Sequence, residues 1–246
     1  MELDRTTHNV LGESVNVRHA YIIYISREES IEYANECARS CEENNIPYTL
    51  WKGVEQADSY KASQETGFTF KMSNCSGEIG CTASHLKLWR VIAEQPHACC
   101  VFEHDAVVRH DFFNIEIPDD KLVMLGYRVG SKGDYVYPGG ETTFIDIPKF
   151  EGTHSYCITP NMAKLLISKM EGEYTSRFGG VDTTIDGILS LQDNIGITKC
   201  IMDPPPVVCV VGNRVSTIQG RPAEYNTSPS PGFIKGLQEG KQLRVN

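Results

Sequence analysis

A strand, a helix and a second strand follow one another near the start of the chain. Residues 20–25 (AYIIYI) are apolar and suit a strand, residues 28–43 carry apolar side chains along one helical side, and residues 48–51 again suit a strand. Two strands joined by one helix form the βαβ unit, which belongs to a parallel sheet. The pattern therefore predicts an α/β fold with a mostly parallel central sheet flanked by helices.

The rest of the chain continues to alternate strands with helices. The clearest helix is predicted over residues 78–94, and the buried strand of residues 98–102 follows Pro96. We interpret residues 56–76 as a loop with at most one helical turn, and residues 127–150 as a long loop of the kind that carries function. The other predicted elements are strands at residues 121–126, 153–159, 197–202 and 206–211, and helices at residues 160–170 and 182–191.

Length and charge limit what the chain can be. Its 246 residues fit one large domain, which we place at residues 18–218, followed by a tail over residues 219–246. The net charge of -9 would repel a nucleic-acid backbone, so we expect no nucleic-acid partner. We see neither a secretory signal in residues 1–10 nor the roughly 18 uninterrupted apolar residues of a membrane span. We therefore expect a soluble, cytoplasmic protein.

The chain has nine cysteines, an odd number, and most of them lie inside apolar segments. This distribution predicts thiols buried in the core of a protein from a reducing compartment. Zinc is the alternative, but the chain has no C-x-x-C pair, and Cys37 and Cys41 have helical spacing without a matching second pair. We therefore do not expect a zinc site.

A buried apolar strand ends in the charged tripeptide Glu103-His104-Asp105. Carboxylates two residues apart in an extended segment point to the same side, so Glu103 and Asp105 can share one cation. The carboxyl ends of the strands are also where open parallel sheets bind ligands. The sequence therefore predicts a site for a hard divalent cation, Mn²⁺ or Mg²⁺, whereas the alternative is a solvated acidic turn.

The helix that precedes this strand carries a more specific pattern. Residues 77–89 (GEIGCTASHLKLW) closely resemble the G-x-x-G-C-x-x-S-H-x-x-x-W helix of glycosyltransferase family 25, which contains the lipooligosaccharide glycosyltransferases and their collagen-galactosylating relatives. The segment VFEHDAVV is similar to the acidic metal motif of that family, usually E-D-D, with His104 in place of the middle acid. Several motifs in the family's order are much less common by chance than one.

The resemblance extends from about residue 20 to about residue 218. The opening βαβ segment looks like the first one of the family, with Arg27 in the place of an arginine near the nucleotide. GTHSYCITPNMAKLLI resembles a later strand and helix, which an acidic residue follows, and Asp182 matches that residue. PPPVVCVVGNRVSTI is similar to the closing segment. Residues 56–76 match weakly, and no histidine follows His154 to serve as a late metal ligand, so Asn213 or Asp203 would replace it.

The resemblance implies a GT-A-type nucleotide-binding fold and an inverting transfer of a hexose, such as galactose or glucose, from a UDP-sugar to a hydroxyl of a glycan. It also implies a role in lipopolysaccharide biosynthesis. Glu103 and Asp105 would bind the metal ion. The expected nucleotide contacts are Arg27, Ser84, His85 and His104.

Inversion requires a base that deprotonates the acceptor hydroxyl. Asp182 is the first candidate, and Asp186, one helical turn later, is the second, although an aspartate at a helix start is more often a cap. Ser84 and His85 do not form a hydrolytic pair, because neighbours on a helix face different ways. Without the resemblance, His85 is interpreted as a core histidine that donates to a backbone carbonyl.

Three other functions remain open at the level of sequence. A catalytically degenerate protein that binds a sugar nucleotide would fit His104 and the missing late histidine. A nucleotidyltransferase would need a glycine-rich loop after the first strand, but residues 25–28 contain no glycine. A glycosyltransferase could also act on protein or modified DNA, and the net charge disfavours DNA.

Overall fold

A computed structural model describes residues 14–72, 75–129, 136–147, 152–190 and 196–210. The strands are β1 (Ser14–Tyr24), β2 (Tyr48–Lys52), β3 (Ala98–Glu103), β4 (Ala106–Val108), β5 (Glu116–Pro118), β6 (Lys121–Met124), β7 (Gly126–Val129), β8 (Thr143–Asp146), β9 (Ser155–Ile158), β10 (Thr198–Asp203) and β11 (Val207–Val210). The helices are α1 (Glu28–Glu43), α2 (Ser59–Thr66), α3 (Ser76–Ala93), α4 (Pro160–Lys169), α5 (Thr175–Phe178) and α6 (Ile185–Ser190), and a π-helical turn, Met170–Tyr174, joins α4 to α5.

Within the described residues, the central sheet has the strand order β2-β1-β3-β9-β6-β10-β8, and β5 pairs with the start of β1. Strand β1 is parallel to β2 and β3, and β10 is parallel to β6, whereas β9 is antiparallel to both β3 and β6. Five of the seven strands in this order therefore run in one direction, and β9 and the edge strand β8 run in the other. The predicted α/β fold with a mostly parallel sheet and flanking helices is confirmed.

The two faces of the sheet bury two separate apolar clusters because alternate residues of each strand point to opposite sides. On β3, Cys99 and Val101 belong to the cluster that includes α3 and α4. Cys100 and Phe102 belong to the cluster that includes α1. The period of two places Glu103, the last residue of β3, on the α3 side of the sheet.

Helix α2 corrects the prediction that residues 56–76 form a loop with at most one turn. The Asp58 side chain accepts a hydrogen bond from the Lys61 backbone N–H at 2.7 Å, which caps the amino end of the helix. Gly67 has a φ of 75° and ends the helix in the left-handed conformation that glycine adopts without strain. Asp58 and Gly67 are local signals for the two ends of this helix, although the hydrophobic periodicity of the segment did not predict the helix itself.

The prediction of one long loop over residues 127–150 is also wrong in part. Strand β7 pairs with β11 in a second sheet that contains β4, and β8 adds an antiparallel edge to β10. These short strands are specified by their partners rather than by their own sequence, so periodicity gives little sign of them. Helix α4 was predicted correctly, because Pro160 occupies its first turn and Thr159 caps Met162.

All nine cysteines are free thiols, and seven of them are buried as predicted. Cys75 is exposed and Cys81 is half-buried, so the prediction of core thiols is wrong for Cys75. No helix in the described part of the chain is long and apolar enough to cross a membrane. The predicted tail over residues 219–246 lies outside the described residues.

Candidate active site

The candidate site lies where β1 and β3 end side by side. Ile23 of β1 is the register partner of Glu103, so the loop after β1 and the acidic tripeptide after β3 leave the sheet at the same edge. A pocket at this edge is lined by residues of both loops and of α3, among them Ile25, Gln56, His85 and Glu103. This is the edge at which open parallel sheets bind ligands, as the sequence predicted.

Helix α3 presents a stripe of residues at four-residue steps: Gly77, Cys81, His85 and Trp89. The first three line the pocket, and Trp89 is fully buried below it. A neighbouring residue, Gly80, lets the helix approach the chain after β2, because a Cβ there would collide with the carbonyl oxygen of Val54. The second glycine of the G-x-x-G-C-x-x-S-H pattern therefore lets the helix pack closely, and the Cys and His of the pattern line the pocket.

Ser84 joins α3 to the same segment of chain. Its hydroxyl accepts a hydrogen bond from the Val54 backbone N–H at 2.7 Å and donates one to the carbonyl oxygen of Gly80 at 2.7 Å. These contacts give Ser84 a structural role beside the pocket that it lines. Its nucleotide contact stays a prediction.

His85 takes part in a buried polar network. Its Nδ1 lies 2.8 Å from the Tyr156 hydroxyl, which also accepts a hydrogen bond from the Trp89 indole N–H at 2.9 Å. The other ring nitrogen, Nε2, lies 3.4 Å from Glu103 Oε1, without the alignment of a hydrogen bond. His85 is thus a core histidine as interpreted, but its partners are a tyrosine and a carboxylate rather than a backbone carbonyl.

Glu103 contacts both His85 and Thr153 through one carboxylate oxygen. The Thr153 hydroxyl donates a hydrogen bond to Oε1, and His85 Nε2 lies 3.4 Å from the same oxygen. Burial by itself would favour the protonated acid, but the interactions with His85, Thr153 and His104 outweigh it and lower the pKa of Glu103. The surroundings therefore hold an ionised carboxylate at the edge of the pocket.

The other two residues of the tripeptide point elsewhere. Strand β3 ends at Glu103, and His104 and Asp105 form a turn, so the argument from an extended segment does not apply to this pair. The His104 ring stacks on Tyr33 of α1, with centroids 5.9 Å apart and planes 6° from parallel. Asp105 Oδ2 accepts from the Cys209 thiol at 3.1 Å, and its buried Oδ1 has no hydrogen-bond partner in the described part of the chain.

Cys81 is the cysteine of α3 that lines the pocket. Its sulfur, a ring nitrogen of His85 and a carboxylate oxygen of Glu103 all lie within 4.8 Å of one another. Burial raises the pKa of its thiol well above the usual range, and the charges of Glu103, Asp186, Asp105 and Glu78 add to the effect in that order. Sequence reasoning named the acids but missed Cys81 as a residue of the site, although the family pattern includes that cysteine.

The two candidate bases have different surroundings. Asp186 is half-buried in the first turn of α6, and the backbone N–H next to it, that of Ile185, donates to Thr82 of α3 at 3.0 Å. Asp182 is exposed and accepts a hydrogen bond from the Tyr174 hydroxyl. The structure therefore anchors Asp186 to α3 and ties Asp182 to the π-helical turn.

Arg27 is half-buried at the junction of β1 and α1, where it precedes the first residue of the helix. Of the two replacements for a late histidine, Asn213 lies outside the described residues. Asp203 is the last residue of β10, whereas Glu103 is the last residue of β3. Strands β9 and β6 lie between β3 and β10, so the two carboxylates are separated by three strand spacings, roughly 14 Å. Asp203 is therefore too far away to bind one ion together with Glu103.

One group of side chains in the described residues has the composition and spacing of a metal site: Cys81, His85 and Glu103, whose ligand atoms all lie within 4.8 Å of one another. Thr153 and Tyr156, which contact Glu103 and His85, lie in the GTHSYC segment that resembles the family, but sequence reasoning gave them no role, because only the pairing of β9 with β3 brings them near. Glu103 and Asp105 carry the oxygen atoms that Mn²⁺ and Mg²⁺ prefer, but Asp105 is not part of this group, so only the chemistry of the two side chains fits a shared hard ion.

Comparison with known proteins supports part of this interpretation. Residues 18–125 match the model of glycosyltransferase family 25, described as an LPS biosynthesis protein, so the resemblance is confirmed over that range. No curated protein matches the chain. Among solved structures, the inositol-1-phosphate CTP transferase from T. maritima is similar, with 12% identity and a TM-score of 0.44 over 94% of this chain and 100% of that chain. So weak a likeness has no bearing on function.

Proposed function

We propose that this chain, whose residues 18–125 match glycosyltransferase family 25, is a metal-dependent, inverting hexosyltransferase of lipopolysaccharide biosynthesis. The family match supports glycosyl transfer in general, and with it a nucleotide-sugar donor and a hydroxyl acceptor. We infer a UDP-linked galactose or glucose as donor and a glycan as acceptor. The observation that carries the site is the pocket at the ends of β1 and β3, which Glu103 lines together with Cys81, Ser84 and His85 of the family's helix pattern.

The donor's diphosphate would lie over the ends of β1 and β3. Arg27 follows β1, and its permanent charge suits a phosphate oxygen. Glu103 and Asp105 would hold Mn²⁺ or Mg²⁺, which supplies Lewis-acid neutralisation of the charge that develops on the leaving diphosphate. The unpaired Oδ1 of Asp105 supports this assignment, since a buried carboxylate oxygen without a partner is costly unless a ligand satisfies it.

The acceptor hydroxyl must lose a proton as the new bond forms on the face opposite the leaving group. Position favours Asp186 for this step, because it is half-buried and the neighbouring Ile185 N–H bonds to Thr82 of α3. Asp182 stays the alternative, although it is exposed and already accepts a hydrogen bond from the Tyr174 hydroxyl. A general base of this kind contributes roughly a hundred- to ten-thousandfold to the rate.

A panel of nucleotide-sugars, assayed for nucleoside diphosphate release with and without Mn²⁺, tests the proposal. We expect release that depends on the metal and increases when an oligosaccharide acceptor is added. Donor binding without release would instead support the degenerate sugar-nucleotide-binding protein that His104 suggests. Transfer to protein or modified DNA, but not to glycans, would support glycosyltransferase activity and contradict the proposal that the acceptor is a glycan.

The variant Asp105→Asn tests the metal assignment. It should lower transfer at least about a hundredfold, because a neutral ligand weakens the hold on a cation that contributes several kcal/mol. Asp120→Asn is the matched control, since Asp120 is exposed and precedes β6 at the opposite edge of the sheet. Wild-type rates for Asp105→Asn, or full wild-type activity in excess chelator, would remove the metal from the mechanism.

A further inference from the structure

We propose that Cys81, His85 and Glu103 form a second kind of metal site, one that binds a borderline-soft divalent cation of the Zn²⁺ class. Thiolate sulfur and imidazole nitrogen select such ions, whereas Mn²⁺ and Mg²⁺ prefer oxygen ligands. The site is therefore chemically distinct from the hard-cation site of Glu103 and Asp105, although the two share Glu103. Its binding of metal can be measured whether or not the protein transfers sugar.

The backbone already gives the three ligands a suitable arrangement. Cys81 and His85 are one helical turn apart on α3, so they project from the same face of the helix. Glu103 ends the strand that this face covers, and the three ligand atoms lie within 4.8 Å of one another. Ligands of a tetrahedral zinc ion lie roughly 3.4–3.6 Å apart. Small side-chain rotations would therefore close the site without a change in the backbone.

His85 provides independent support for a ligand at this position. Its side chain is fully buried, and Nε2, the atom nearest Glu103, has no hydrogen-bond partner in the described part of the chain. Its Nδ1 contacts the Tyr156 hydroxyl at 2.8 Å. Histidines that bind metals commonly fix their orientation through such a contact of the second ring nitrogen. Nε2 is thus held beside Glu103, and the tautomer with the proton on Nδ1 would offer its lone pair to a cation.

Metal binding at Cys81 replaces a proton. The thiol releases H⁺ to solvent, and its sulfur forms a bond to Zn²⁺. The carboxylate of Glu103, within 4.8 Å of that sulfur, adds negative charge that favours a dication.

Three protein ligands leave the fourth position of a tetrahedral ion open, as in catalytic zinc sites. All three residues line the pocket, so a ligand from the pocket could occupy that position. Because Glu103 belongs to both sites, Zn²⁺ would take it from the hard cation and inhibit transfer. This last consequence, but not the binding itself, rests on the proposed function.

Titration of the purified, metal-free chain with Co²⁺ tests the site, because Co²⁺ replaces Zn²⁺ with similar geometry and absorbs light. We expect a thiolate-to-cobalt charge-transfer band in the near ultraviolet, visible bands of tetrahedral intensity, and loss of both when Zn²⁺ is added. If the wild-type chain shows no charge-transfer band at saturating Co²⁺, the proposal is wrong.

Variants identify the ligands. Cys81→Ala and Cys81→Ser should both lose the charge-transfer band, and either one suffices if the other fails to fold. Cys75→Ser is the matched control, because Cys75 is exposed just before the same helix. Tyr156→Phe should weaken Co²⁺ binding by about 10- to 100-fold through the orientation of His85. A band that survives both Cys81 variants but disappears in Cys75→Ser would overturn the proposal.

Discussion

Helices α1 and α3 cover opposite faces of β1 and β3, and both bury paired polar groups, but the partners of those groups differ. On α1, the buried Ser30 and Ser40 bond to backbone groups. On α3, His85 and Trp89 both contact the buried Tyr156 hydroxyl, and His85 also lies beside Glu103. Buried polar groups destabilise a fold unless they are paired. The network of paired side chains on α3 extends to a carboxylate in the pocket, so we expect function to depend on the α3 face.

The largest expected effect concerns the base, which α6 positions through its contact with Thr82 of α3. Asp186→Asn should lower transfer by roughly a hundred- to ten-thousandfold and leave donor affinity nearly unchanged, because an amide cannot accept the acceptor's proton. Asp182→Asn is the matched variant, and initial rates and donor binding should be measured for both. If Asp182→Asn alone loses transfer, then Asp182 is the base. Because Asp182 contacts Tyr174 rather than α3, the assignment of function to the α3 face would be weaker.

A smaller loss is expected when the polar network of α3 is cut. His85→Gln should reduce transfer by about 10- to 100-fold, because Glu103 loses the partner that keeps it oriented and ionised. Cys37→Ala is the counterpart on α1: it should cost about 1 kcal/mol of unfolding free energy and leave transfer unchanged. Equal losses of activity in the two variants would contradict the assignment of function to one face.

Packing at α3 should also be less tolerant than at an open helical position. Gly80→Ala should destabilise the fold by about 1–3 kcal/mol, because the added methyl collides with the backbone at Val54 despite alanine's better helix propensity. Gly172→Ala is the control, since a Cβ there meets nothing within 4 Å. Urea unfolding measures both. A stabilising Gly80→Ala would mean that α3 can move away without cost.

The smallest difference is expected for buried thiols, where the two faces should behave alike. Burial raises the pKa of Cys99, on the α3 face, and of Cys200, on the α1 face, to about 12 from an ordinary value of 9.0. A raised folded-state pKa stabilises the fold below pH 9 and ceases to do so as the pH rises through 12. Unfolding free energy should therefore fall by about 1 kcal/mol per thiol by pH 10.

Alkylation of the native chain tests independently whether the buried thiols on the two faces of the sheet behave alike. Iodoacetamide at pH 8 should modify the exposed Cys75 first and leave Cys99 and Cys200 unmodified, as peptide mapping would reveal. Rapid modification of Cys200 alone would show that the α1 face opens more easily than the α3 face, and the two faces would then differ in packing as well as in chemistry.

Most of what sequence reasoning predicted correctly depends on short stretches of chain. The first βαβ unit, the helix over residues 78–94 and the helix that begins at Pro160 all follow from periodicity or from residues at helix ends. Errors occurred where the deciding partner was distant or was a cap. Strand β8 forms because β10 offers an edge, and α2 begins at Asp58 because that side chain caps it.

The sequence by itself determined the type of sheet, the position of Glu103 at a strand end and the kinds of side chain available to the site. Periodicity and side-chain chemistry are local properties, so a single chain displays them. Only the tertiary structure decided that Tyr156 and Thr153, brought by the antiparallel strand β9 and the residues before it, would hold His85 and Glu103. It also decided that Cys81 would lie close to Glu103. The first two contacts join residues 71 and 50 positions apart, and they depend on strand order and helix packing, which no local pattern encodes.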